Sequence, residues 1–96
     1  MNCYEVVVSH AYPDADREAI LTVSRELQSW VIQQPGFLRR TLLEAGEGTW
    51  IDIVLWETEA AAKTAAAAFP PDCGARFAAL FDMTTMKMMH GTEVPL

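Results

Sequence analysis

The stretch Trp50-Ile51-Asp52-Ile53-Val54-Leu55-Trp56, closed by Glu57-Thr58, decides the fold. Its β-branched and aromatic residues read as a strand. Strand alternation separates Ile51, Ile53 and Leu55 from Trp50, Asp52, Val54 and Trp56. Both sets are largely apolar, so the strand wants cover on both sides. Asp52, a carboxylate between two indoles, is the odd member of its face.

Upstream, Phe37 to Glu44 forms another strand, and Glu44-Ala45-Gly46-Glu47-Gly48 is a glycine-bearing hairpin loop that makes the two strands antiparallel. Before it, Ile20, Val23, Leu27, Trp30 and Val31 recur at helical spacing and predict a helix from the Asp14–Asp16 turn to about Gln33. Asp14 or Asp16 suits its first turn, and Pro35-Gly36 ends it. Cys3 to His10, with Tyr4-Glu5-Val6-Val7-Val8, is the first strand.

Downstream, Thr58 is a good helix cap for the alanine-rich run Ala60 to Ala68. Pro70-Pro71 breaks that helix, and a second piece runs from Asp72, as cap, to Phe81. Asp82 to about Thr92 alternates weakly and reads as the last strand, and the tail Val94-Pro95-Leu96 either crosses to a partner or frays. The order β-α-β-β-α-β is the ferredoxin-like α+β sandwich, one domain over residues 1–96, with an antiparallel sheet in the order 4-1-3-2 and the helices on one face.

Composition narrows the function. At 96 residues with 51% hydrophobic content, the chain is ordered but has more apolar surface than a small monomer hides easily. The helix-free sheet face would expose Trp, Val and Met side chains, so a homodimer through that face is expected. The net charge is −6 and the only adjacent basic pair is Arg39-Arg40, which argues against nucleic acid and anionic membranes. No apolar run approaches the roughly 18 residues of a membrane span, and the start lacks the pattern of a signal peptide. Cys3 and Cys73 match neither a disulfide framework nor a metal motif, and a cytoplasmic protein with reduced thiols is expected.

Several residues could carry chemistry. Asp52 reads either as a buried general base or as an ion-pair partner, of Arg39 or Arg40 on the neighbouring strand or of a basic residue across a dimer interface, and the ion pair weighs more because cross-strand pairs are common. Trp50 and Trp56 read as walls of a pocket for a flat ligand or as packing. Tyr4, Trp56 and His90 should gather at one end of the sheet, and His10, Trp50 and Met83 at the other. His10 and His90 are candidate proton carriers. The run Met-Lys-Met-Met-His lacks the repeated spacing of a soft-metal site, so the methionines read as flexible filler and no metal is expected. Cys73, beside Asp72 at a helix start, could have its thiol pKa lowered there.

Pro35-Gly36-Phe37, the strand end Leu55-Trp56-Glu57-Thr58, the alanine-rich helix and Phe77-Ala78-Ala79-Leu80-Phe81 together resemble the antibiotic biosynthesis monooxygenase family of dimeric α+β barrels. That resemblance implies a homodimer and, in some members, oxygenation of quinol-like aromatics without metal or flavin. It implies heme degradation in others. Trp56 matches the pocket tryptophan of both kinds. Asp52 stands where the quinol-oxidising members carry asparagine, and Arg76 is the candidate for a recurrent site arginine. No histidine lies between Ala60 and Phe81, which disfavours heme degradation. Two functions stand: a cofactor-independent monooxygenase of a small aromatic or quinol, and a non-catalytic barrel that binds a ligand or acts as an accessory protein.

Overall fold

A computed structural model describes residues 1–96. The elements are β1 (Cys3–Ala11), α1 (Arg17–Val31), β2 (Phe37–Glu44), β3 (Thr49–Trp56), α2 (Glu59–Ala67), α3 (Pro71–Leu80) and β4 (Phe81–Thr92). One antiparallel sheet runs β2-β3-β1-β4, the expected order read from its other edge. No helix is long and apolar enough to cross a membrane.

The local signals act as anticipated, with three adjustments. Asp16 caps α1 by accepting from the Glu18 amide, and Thr58 caps α2 by accepting from Ala61. Helix α1 stops at Val31, short of Gln33. Asp72 does not cap α3: that helix begins at Pro71, whose missing N–H costs nothing at a helix start, so Asp72 sits inside the first turn. Phe81 leaves the helix and opens β4 directly, its extended backbone (φ −118°, ψ 143°) joining the sheet opposite Ala11.

Register fixes which side chains share a face. Trp56 stands opposite Cys3 and Phe37; Val54 opposite Glu5 and Arg40; Asp52 opposite Val7 and Leu42. This set faces the helices. Trp56 and Val54 pack with Val31, Ala62 and Ala65, while Trp50 packs with Ile20 and Phe81. The alanines of α2 explain how that helix lies so close: Ala62 is fully buried against the sheet. Phe37 meets the Trp56 ring edge-on at 6.0 Å between centroids.

The helix-free face carries the alternate set in three cross-strand rows: Leu43-Ile51-Val8-Lys87, Thr41-Ile53-Val6-Met89 and Arg39-Leu55-Tyr4-Gly91. The expectation of tryptophan on this face is corrected. Both strand tryptophans point to the helices, because they share parity with Val54 on β3, and both are buried. What remains in the open is an aliphatic centre of Ile51, Ile53, Leu55, Val6 and Val8 with Tyr4, Thr41, Arg39 and Lys87 around it.

Gly36 shapes the corner where β2 meets α2. Its φ is +83°, and a Cβ built there would lie 2.6 Å from the Ala61 Cβ. Its carbonyl accepts from the Glu57 amide at 2.7 Å, tying the start of β2 to the end of β3 beside Trp56.

Candidate functional site

Between the sheet and the helices lies a cavity of about 450 Å³, within the usual range for small-molecule sites. Most of its lining is apolar, with Trp30, Trp50, Trp56, Phe69 and Phe77 supplying flat surface and Met83, Met86 and Met88 closing one side from β4. The methionines thus wall a cavity as well as filling space. Only three ionisable side chains line it: Glu5, Arg40 and Asp52.

Arg40 reaches inward from β2 and its side chain is only 4% exposed. Nε and Nη2 donate to Asp52, the shortest contact being 2.7 Å to Oδ2. Nη2 also donates to Ser24 Oγ at 2.8 Å, and Nη1 donates to the Ser24 carbonyl and to Gln28 Oε1. All five guanidinium N–H groups therefore have acceptors, which is what a buried arginine requires. The ion-pair reading of Asp52 holds, with Arg40 rather than Arg39 as partner. Ser24, the one buried polar side chain of α1, owes its place to the same clamp.

Trp56 is the opposite case. Its ring is 1% exposed, and its indole nitrogen is buried without a hydrogen-bond partner. A buried N–H left unpaired costs about 1–3 kcal/mol. The ring forms part of the cavity wall, but the nitrogen itself has almost no accessible surface, so an acceptor brought by a ligand reaches it only if the wall shifts.

Glu5 lies on β1 opposite Val54 and His90. His90 Nε2 sits 2.9 Å from Glu5 Oε2, with side-chain exposures of 25% for the histidine and 12% for the glutamate. The other carboxylate oxygen makes no hydrogen bond within the chain. His90 had been singled out in the sequence, but Glu5 had not. Only the β1–β4 register brings residues 85 positions apart into contact.

The remaining candidates fall elsewhere. Tyr4 has the wrong parity on β1 and lies on the helix-free face, although it shares an end of the sheet with Trp56 and His90. His10 is exposed at the other end, its Nδ1 3.0 Å from Thr49 Oγ1. Arg76 is half-exposed on α3, where it pairs with Glu26 of α1 and does not line the cavity. Cys73 is buried, and burial pushes its pKa up against the lowering effect of nearby Arg76. Cys3 is raised in the same way, with Glu59 and Glu5 adding to the effect of burial. Neither thiol is an activated nucleophile. No three His, Cys, Asp or Glu side chains come together as a potential metal site.

Fold and cavity define a small ferredoxin-like α+β protein with an apolar chamber under one face of its sheet. No protein-family model and no curated protein matches the chain. Solved structures do match in fold. SnoaB, a cofactor-independent oxygenase from Streptomyces nogalater, superposes with a TM-score of 0.80 at 19% identity, over 99% of this chain and 95% of its own. The Streptomyces coelicolor monooxygenase from ActVA-Orf6, solved with nanaomycin D, gives 0.76 at 21% identity, over 99% and 89%. A Nitrosomonas europaea protein assigned as an antibiotic biosynthesis monooxygenase gives 0.82 at 16% identity, over 97% and 90%. The resemblance to that family read from the sequence is matched in the fold, which is one that named monooxygenases use.

Proposed function

We propose that the chain is a monooxygenase of a small, electron-rich aromatic of the phenol or quinol class, and that the substrate ring itself delivers electrons to oxygen without metal or flavin. The observation that carries this reading is the apolar, aromatic-walled cavity between sheet and helices, with the unpartnered Trp56 indole N–H buried behind its wall. A phenolic or quinone oxygen is the acceptor this donor lacks, and the flat apolar walls suit the ring that bears it. The likeness of fold to SnoaB and to the ActVA-Orf6 monooxygenase supports the reading.

The reaction balances without a further reductant. A phenol with a free para C–H plus one O₂ gives a para-quinone and one H₂O. The ring loses four electrons, which reduce both oxygen atoms, one retained in the quinone and the other released as water. What the protein must supply is desolvation, a donor for the phenolate oxygen and a proton acceptor.

A homodimer through the helix-free face belongs to the same reading. Two copies of an aliphatic surface built from Ile51, Ile53, Leu55, Val6 and Val8 bury one another and close a barrel.

The test is oxygen uptake with a panel of phenols, naphthols and hydroquinones, comparing wild type with Trp56→Phe. Uptake of one O₂ per quinone, reduced at least tenfold in Trp56→Phe, is the expected result. Compounds that quench tryptophan fluorescence but consume no oxygen would leave a ligand-binding barrel in its place.

A further inference from the structure

The oxygenase reading needs a group to take the substrate's proton, and the cavity narrows the choice. Its ionisable lining is Glu5, Arg40 and Asp52. Arg40 has every N–H committed and no lone pair to offer. Asp52 has both oxygens drawn to Arg40, by contacts of 3.0 Å at Oδ1 and 2.7 Å at Oδ2. A carboxylate pinned by a bidentate guanidinium gives up that pairing as it takes a proton. Glu5 is different: one oxygen is held by His90, and the other has no partner in the chain.

Position favours Glu5 as well. It stands opposite Val54 while Trp56 stands opposite Cys3, so Glu5 and Trp56 are diagonal neighbours on the cavity side of adjacent strands. Diagonal pairs are about 7–8 Å apart and within reach of long side chains. A substrate hydroxyl at the free carboxylate oxygen therefore lies beside the Trp56 ring, and a small shift of that ring lets it meet the indole N–H as well.

We infer that Glu5 is the catalytic proton acceptor and donor of this site, and that His90 is the residue that holds its carboxylate in place. The inference rests on the oxygenase reading above. Glu5 takes the phenolic proton as the O–H bond breaks, leaving a phenolate whose charge the Trp56 N–H stabilises. The para carbon forms a C–O bond with O₂, and the resulting peroxide anion receives the proton back from the Glu5 carboxyl. Glu5 then removes the para C–H proton while the O–O bond breaks. That electron pair closes the new C=O, and hydroxide leaves, taking the proton from Glu5 as water. The carboxylate ends as it began. In water a carboxylate is weaker than a phenolate as a base by about six pH units. A carboxylate base with a strong oxyanion donor nonetheless suffices in enzymes that remove protons from weaker acids still.

The experiment measures kcat and KM for oxygen uptake by wild type, Glu5→Gln, Asp52→Asn, His90→Gln and His90→Leu, across phenols of increasing acidity. For the least acidic phenol Glu5→Gln is expected to lose about 100-fold or more in kcat with KM within threefold. That deficit shrinks for a phenol already ionised at the assay pH, where only the later proton transfers still need Glu5, a partial rescue that a structural lesion would not show. His90→Gln, which keeps an N–H for the carboxylate, should retain more kcat than His90→Leu at equal KM. Glu5→Gln turnover equal to wild type on an active enzyme overturns the assignment alone. So does an acidity-dependent loss that follows Asp52→Asn instead. A wild type that consumes no oxygen with any substrate overturns both the assignment and the oxygenase reading.

Discussion

Arg40 Nη2 lies 2.7 Å from Asp52 Oδ2 across neighbouring strands, and the same guanidinium reaches over the cavity to Ser24 on α1. One side chain therefore ties β2, β3 and α1 together at the edge of the candidate site. Removing one partner of a buried pair leaves the other charge uncompensated, which typically costs about 3–5 kcal/mol. Arg40→Leu is expected near the lower end, about 3 kcal/mol, because the Asp52 side chain is 20% exposed and can gain water. The double variant Arg40→Leu/Asp52→Leu should recover part of that loss. Urea denaturation of the two singles and the double measures the coupling. A double variant less stable than either single would contradict the clamp.

Gly36 combines two demands that Gly46 does not. Both have positive φ, +83° and +81°, but only Gly36 has a neighbour where a Cβ would go, Ala61 at 2.6 Å. Gly36→Ala should cost about 2–4 kcal/mol from backbone strain and overpacking. Gly46→Ala should cost about 1 kcal/mol, from backbone strain alone. Equal effects in thermal or chemical unfolding would show that α2 moves aside freely.

The helix-free face predicts its own sensitivity. Ile53 lies in the middle row, between Thr41 and Val6, with Met89 beyond. Ile53→Lys should convert a dimer into a monomer, read by size-exclusion chromatography with light scattering, while Lys87→Glu at the rim should not. A wild type that runs as a monomer at micromolar concentration refutes the proposed assembly.

Alkaline stability should depend on the two cysteines. Burial raises both thiol pKa values, so the folded chain keeps its thiols protonated where the unfolded chain loses them. Their contribution is intact below the unfolded thiol's pKa of about 8.5 and is lost progressively as pH climbs through the folded values. The slope is at most about 1.4 kcal/mol per pH unit for each thiol. The urea midpoint should fall between pH 8 and pH 10, and Cys73→Ala should flatten the fall, although it lowers stability at pH 8 by leaving a small cavity. An unchanged slope would mean that Cys73 titrates normally in the fold.

Much of the architecture was legible in local pattern. The alternation of Trp50 to Trp56, the helical stripe from Ile20 to Val31, the caps at Asp16 and Thr58 and the glycine-bearing hairpin loop each act within a few residues of themselves. Together they allow one common topology. Local pattern also marked Asp52 as a residue in need of a partner on the adjacent strand. It could not separate Arg39 from Arg40, because a bulge near Phe37 shifts the register that decides between them.

The site itself needed the third dimension. Tyr4 and Glu5 are neighbours in the chain and occupy opposite faces, so only the assignment of faces gave Glu5 a place in the cavity and denied one to Tyr4. The same holds for the tryptophans, which were expected on the helix-free face and lie under the helices instead. Sequence alone determined the elements of this protein and their order, because helix caps, turns and strand alternation are short-range effects. Tertiary structure decided the clamped Asp52, the open Glu5 beside His90 and the unpartnered Trp56 N–H, because each depends on what other strands and helices place opposite it.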